Sequence, residues 1–109
     1  MHKTGGDNPK KLVSCPVEAT IQVVGGRWKV LILHRLLEHD MRFGELLRAL
    51  KGVTARTLTK QLRELEADGI VSRTVHQQVP PMVEYAITPK GRELEPTLLA
   101  MHAWGEKYG

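Results

Sequence analysis

TARTLTKQLRELEAD, residues 54–68, is the stretch whose reading decides the fold. Leu58, Leu62 and Leu65 recur at i, i+4, i+7 and share one side of a helix, whereas Arg56, Lys60 and Arg63 recur at the same spacing and fall roughly opposite. Small or hydrogen-bonding residues, Ala55 and Thr59, lie between the two stripes. A helix built this way is held from behind by its leucines while its front offers guanidinium and ammonium groups. A helix entering a DNA major groove needs that division. Taken alone, the pattern also suits a surface helix with solvated cations, so the flanking sequence matters.

Upstream, Gly44 to Leu50 reads as a short helix with Leu46, Leu47 and Leu50 inward. Lys51-Gly52-Val53 forms a tight turn, and Thr54 is a suitable N-cap for the helix that follows. Helix, three-residue turn with Gly, and a longer helix with a basic face make a helix-turn-helix. Downstream, Asp68-Gly69 stops the second helix with Gly beyond its end. Ile70 to Val75 is rich in β-branched residues, and Val83 to Thr88 alternates Val83, Tyr85 and Ile87 against Glu84, Ala86 and Thr88. These are two strands joined across residues 76–82, a tip stiffened by Pro80-Pro81. A β-hairpin directly after a helix-turn-helix is a wing.

Further out, residues 1–14 mix Gly, Asp, Asn, Pro and Lys and are expected to form a flexible tail before a single domain over 15–109. Pro16 suits the first position of a helix that carries Val17, Ile21 and Val24 and ends at Gly25-Gly26. The next helix, from about Trp28 to the Glu38-His39-Asp40 terminus, is apolar on most sides and is expected to be the buried pillar. Met41-Arg42-Phe43 could form a very short strand. Thr88-Pro89 opens the last helix, with Leu94, Leu98, Met101 and Trp104 at helical spacing and Leu99 widening the stripe. Pro96 should kink that helix or split off its first turns.

The net charge of +4 is modest, but its placement is not even. Six bases and one acid between Arg42 and Arg63 give that segment +5 and leave the remainder at −1. Such concentration fits a phosphate-facing patch better than general solubility. A single cysteine, Cys15, excludes an intramolecular disulfide and a Cys-rich zinc site, and His2, His34, His39, His76 and His102 show no ligand spacing. No metal and no cofactor are expected. No apolar run approaches a membrane span and the N-terminus has no secretory pattern, so a cytoplasmic protein without membrane contact is expected.

From Cys15 to Gly105 the chain resembles the HxlR-type winged-helix regulators, relatives of the MarR group. The matching stretches are CPVEA at 15–19, GGRWK at 25–29, RFGEL at 42–46, LTKQLRELEADG at 58–69, VPPMVEY at 79–85, TPKG at 88–91 and AWG at 103–105. The resemblance implies a dimeric bacterial transcription regulator whose dimer is built from the first and last helices, here 16–24 and about 89–108. The apolar stripe containing Trp104 agrees, because a monomer this small would struggle to cover it. The simpler alternative is that the stripe packs on the chain's own core. The candidate interface residues are Val17, Ile21, Leu94, Leu98, Met101 and Trp104. One departure stands out: after Pro80-Pro81 the family commonly carries Lys or Arg, and here Met82 stands instead.

The expected architecture is therefore mainly α with a small β-hairpin wing (α+β), a winged helix-turn-helix. The expected function is sequence-specific binding of double-stranded DNA by a homodimer, more usually as a repressor, with two recognition helices about 34 Å apart on a roughly palindromic operator. Near the start of the recognition helix, Thr54, Ala55, Arg56, Thr59 and Lys60 are placed for DNA, and Arg56 bidentate to guanine would contribute ~1–3 kcal/mol of discrimination. Arg63, Arg42 and Lys51 are expected at phosphates, with Arg73 on the first wing strand and Gln77 and Gln78 at the tip. Cys15, immediately before Pro16, sits where free N–H groups and the helix dipole favour a thiolate, although Glu18 opposes it. Family members with a cysteine here respond to oxidants or electrophiles, which makes Cys15 a candidate redox sensor; the plain alternative is a small buried residue. Two other classes remain. A winged helix can dock proteins rather than DNA, which a weak salt dependence would reveal. An enzyme is disfavoured, since no nucleophile–base pair, paired carboxylates or phosphate-cradling Gly loop is present.

Overall fold

The computed structural model describes residues 15–109, and the tail expected over 1–14 lies outside the described residues. In chain order the elements are α1 (Pro16–Val24), α2 (Trp28–Glu38), β1 (Met41–Arg42), α3 (Phe43–Ala49), α4 (Ala55–Ala67), β2 (Val71–His76), β3 (Met82–Ile87), α5 (Pro89–Arg92) and α6 (Glu95–Tyr108). Helices α3 and α4 are the helix-turn-helix, and β2 and β3 are the wing.

The three strands form one antiparallel sheet in the order β1-β3-β2. β1 pairs Met41 with Tyr85 and Arg42 with Glu84, so the wing is stitched to the entrance of α3. The β2–β3 register runs from Val71 opposite Ile87 to His76 opposite Met82. Both strands begin and end one residue from the bounds that β-branched content suggests: at the tip His76 pairs with Met82, and at the ends that meet α4 and α5 capping is the reason. The Gly69 N–H bonds the Glu66 carbonyl and the Ile70 N–H bonds the Leu65 carbonyl, the paired closure of a helix that ends on a left-handed residue. Gly69 supplies that residue with φ +74°. Ile70 thus belongs to the end of α4. Thr88, at the other end, caps α5 through its side chain, which accepts the Gly91 N–H at 3.0 Å.

The core gathers Ile32, Leu33 and Leu36 of α2, Leu46 of α3, Leu58, Leu62 and Leu65 of α4, and Val71, Tyr85 and Ile87 of the sheet. All three leucines read from the α4 spacing are buried. Leu47 is only half-buried, and α2 is buried on fewer sides than its composition implies: Leu31, His34 and Arg35 are exposed. Pro96 splits the C-terminal segment rather than kinking it. It sits in the first turn of α6, where its missing N–H leaves no bond unmade, and α5 is a separate turn.

Candidate nucleic-acid interface

The outer face of α4 is organised by what happens at its two ends. Thr54 Oγ1 accepts the Thr57 N–H at 3.1 Å and so caps the start of the helix. With Leu58, Leu62 and Leu65 locked inward, Ala55, Arg56, Thr59, Lys60, Arg63 and Glu64 line one shallow outer surface. The Thr59 hydroxyl donates to the Ala55 carbonyl at 2.8 Å, so its remaining hydrogen-bonding capacity is as an acceptor. Arg56, Lys60 and Arg63 are exposed.

A second groove, about 580 Å³, runs between α4 and the wing and is lined by Phe43, Thr59, Arg63, Glu66, Arg73, Val83 and Tyr85. It brings Arg63 and Arg73 to opposite walls, a pairing that their sequence separation hides. A third groove lies between α3 and the wing, with Arg42, Glu45, Arg48, Pro81 and Met82 in its walls. Arg42 is less free there than its position in the charged segment suggests. Its backbone N–H donates to Glu45 Oε1 at 2.8 Å, its Nε lies 3.6 Å from the same oxygen, and its Nη1 reaches Met82 Sδ at 3.6 Å. The backbone hydrogen bond and the neighbouring guanidinium hold the Glu45 carboxyl below the usual carboxylate range. Met82 thus occupies the guanidinium rather than presenting a cation. Lys51 in the turn and Gln77 and Gln78 at the wing tip are exposed and bracket α4. The tip also carries a cis Val79–Pro80 bond.

Two participants escape a reading by periodicity. Arg48, counted in the basic segment but assigned no role, lines the groove between α3 and the wing. Lys29 is buried, at 8% exposure, and its Nζ lies 2.7 Å from Glu64 Oε1, an ion pair tying α2 to α4. That hydrogen bond and charge hold Glu64 below the usual carboxylate range. A lysine set among the apolar residues Trp28, Val30 and Leu31 at the start of α2 was the available clue, since a buried cation needs a carboxylate partner.

Away from this face, Cys15 is exposed at the N-cap of α1, and its carbonyl accepts the Ala19 N–H. Val17 and Ile21 on α1 are exposed at 65% and 57%, and Trp104 on α6 at 66%. Every residue from 99 to 109 is exposed, Met101 included. Leu94 and Leu98 differ from the others proposed for an interface. Leu98 is buried at 6% and Leu94 packs partly against the same core, so both are committed largely to their own chain. Among the described residues no group of His, Cys, Asp and Glu could hold a metal ion, and no helix is long and apolar enough to cross a membrane.

Residues 23–109 match the HxlR-like helix-turn-helix family. The chain belongs to that family. It is 51% identical over 94 residues to the HTH-type transcriptional regulator YdeP of Bacillus subtilis strain 168, covering 86% of this chain and 73% of that one. Among solved structures, the redox regulator HypR in its oxidized form is 52% identical with a TM-score of 0.83, over 87% of this chain and 98% of the other. The reduced form of the transcriptional regulator YodB from B. subtilis is 34% identical with a TM-score of 0.76, over 86% and 93%. This HxlR-type, MarR-like protein is a DNA-binding transcription regulator, and its winged helix-turn-helix is the DNA-binding fold.

Proposed function

We propose that two copies of this HxlR-type regulator pair through α1 and α6 and set two α4 helices into successive major grooves of a roughly palindromic operator, repressing transcription by binding without chemistry. The observation that carries the DNA contact is the single outer surface made by Ala55, Arg56, Thr59, Lys60 and Arg63 over a fully buried leucine face. Arg56 and Lys60 near the helix start reach base edges, with Thr54, Ala55 and Thr59 beside them. Arg63, Arg73, Lys51, Gln77, Gln78 and the partly occupied Arg42 serve the backbone. The support for pairing is α6 itself. Residues 99–109 are all exposed in their own chain, where the His102 ring stacks on His34 of α2 at 6.1 Å, and a helix of that length with so little cover is marginal in water. Val17, Ile21, Met101 and Trp104 offer the apolar surface that a second copy would cover, with Leu94 and Leu98 behind it.

Redox response through Cys15 is part of the same reading. With one cysteine per chain, peroxide can join Cys15 only to a thiol from another molecule: two thiols lose their protons and two electrons to peroxide, a disulfide forms and two waters leave. The exposed position of Cys15 at an α1 that also carries the pairing surface supports a disulfide between the two copies, and HypR, a redox regulator, shares this fold at 52% identity. Selection of bound fragments from random DNA, with and without reductant, tests both parts. An enriched palindrome is expected. A motif in only one redox state would place the switch at Cys15. No enrichment, with binding insensitive to salt, would overturn the DNA reading in favour of protein docking.

A further inference from the structure

We propose that Lys29 is a positioning residue for DNA binding: by engaging the Glu64 carboxylate from the α2 side, it keeps the Lys60 ammonium free to meet DNA. This rests on Lys60 facing DNA.

Glu64 is an acid on the DNA-facing surface, beside Arg56, Thr59, Lys60 and Arg63. Left alone, it would do two kinds of harm. A carboxylate there repels phosphate, and it sits at i+4 from Lys60, the spacing at which opposite charges on a helix reach one another. Lys29 removes both problems. Its stem is buried and its ammonium is delivered at 2.7 Å to Glu64 Oε1, whereas among the described residues no ion pair joins Glu64 to Lys60. Lys29 is also the larger influence holding the Glu64 carboxyl ionised, with Lys60 acting only through space. The Lys29 side chain is constrained by burial and the Lys60 side chain is solvated, so the carboxylate has a fixed partner on one side and a mobile competitor on the other. Replacing Lys29 by a neutral residue hands Glu64 to Lys60 and removes one effective cation per copy, although Lys29 itself never touches DNA.

The test reads the slope of log Kd against log salt for a mixed-sequence duplex long enough for one dimer, with circular dichroism confirming the fold of each variant. On such DNA, which lacks the operator, the Lys60 ammonium neutralises a phosphate instead of reading a base, so Lys60→Met in the otherwise unchanged chain is expected to lower the slope by ~0.9 per bound copy. Lys29→Met is expected to lower it by the same amount with Lys60 present, and Lys29→Met/Lys60→Met by no more than either alone. Lys29→Met/Glu64→Gln is expected to return to the wild-type slope, a recovery that a merely structural role for Lys29 would not give. If Lys60→Met leaves the slope unchanged, Lys60 is not a DNA contact and that part of the functional reading fails first. If Lys60→Met lowers it but Lys29→Met does not, or Glu64→Gln fails to restore it, the role of Lys29 alone is overturned. Should Lys29→Met not fold, NMR titration of the Glu64 carboxyl in wild type and Lys60→Met decides. It is expected to stay depressed without Lys60, and a return to the ordinary range would identify Lys60 as its partner and refute the proposal.

Discussion

Substituting Gly91 by alanine sets two opposing effects against each other. In an exposed helix the change would be favourable by about 0.8–1 kcal/mol, because glycine is a poor helix former. Here α5 lies directly on the end of the wing. A Cβ at residue 91 would press into the Ile70 carbonyl oxygen and lie 2.8 Å from Ile87 Cγ1 and 3.0 Å from Ile70 Cγ2. The carbonyl cannot retreat without loss, since it accepts the Thr88 N–H at 2.9 Å and the Thr88 hydroxyl at 3.1 Å. The helix must lift instead, which also loosens the bond from the Gly91 N–H to Thr88 Oγ1. Overpacking of this kind costs about 1–3 kcal/mol, and a weakened hydrogen bond costs about 1 kcal/mol. Subtracting the propensity gain leaves Gly91→Ala destabilising by about 1–3 kcal/mol, a fall in Tm of roughly 5–20 °C for a chain of this size. Thermal unfolding followed by circular dichroism measures it, at one fixed protomer concentration because self-association raises apparent stability. A Tm equal to or above wild type would refute the close approach of α5 to Ile70. Because α5 leads from the wing into α6, the same variant should weaken DNA binding more than its stability loss alone explains.

Thr54→Ala removes the cap of α4 and should cost about 1 kcal/mol in urea unfolding, and an unchanged midpoint would show that the Thr57 N–H finds another partner. Trp104→Ala should weaken self-association by about 30-fold, as loss of a central aromatic anchor worth about 2 kcal/mol does; analytical ultracentrifugation reads it, and an unaltered dimer would move the interface elsewhere. Cys15→Ser should abolish any peroxide sensitivity of DNA binding while leaving binding under reductant intact, and sensitivity that persists in the serine variant would remove Cys15 from the mechanism. Glu45 and Glu64 both have folded-state carboxyls held below the ordinary value of 4.5, so each contributes stability that is complete above that value and is lost as pH falls through the depressed folded pKa. Urea midpoints should therefore drop as the pH falls below 4.5, less so in Glu45→Gln, and an equal drop in that variant would show that the Arg42 N–H does not stabilise the carboxylate.

Much of the protein is legible in one dimension because its devices are local. The leucine spacing of residues 58, 62 and 65, the Thr54 and Thr88 caps, the Gly69 stop and the alternation through Tyr85 and Ile87 each depend on neighbours within a turn or along a strand. Together they determine a helix-turn-helix followed by a hairpin, and they place Arg56, Lys60 and Arg63 away from the core. Family resemblance, carried by short motifs, adds the expectation of a dimer and the redox candidate. Periodicity says which face of a helix is apolar, but not what covers it. Only the folded chain divides the C-terminal stripe, with Leu98 buried at home and Trp104 left outside. Only it adds β1 to the wing as a third strand, ties up Arg42 with Glu45 and Met82, and sets Arg73 across a groove from Arg63. The Lys29–Glu64 pair joins residues far apart in the chain through a 2.7 Å contact. Such a contact depends on how α2 packs against α4, and packing is a property of three-dimensional complementarity that no local pattern encodes.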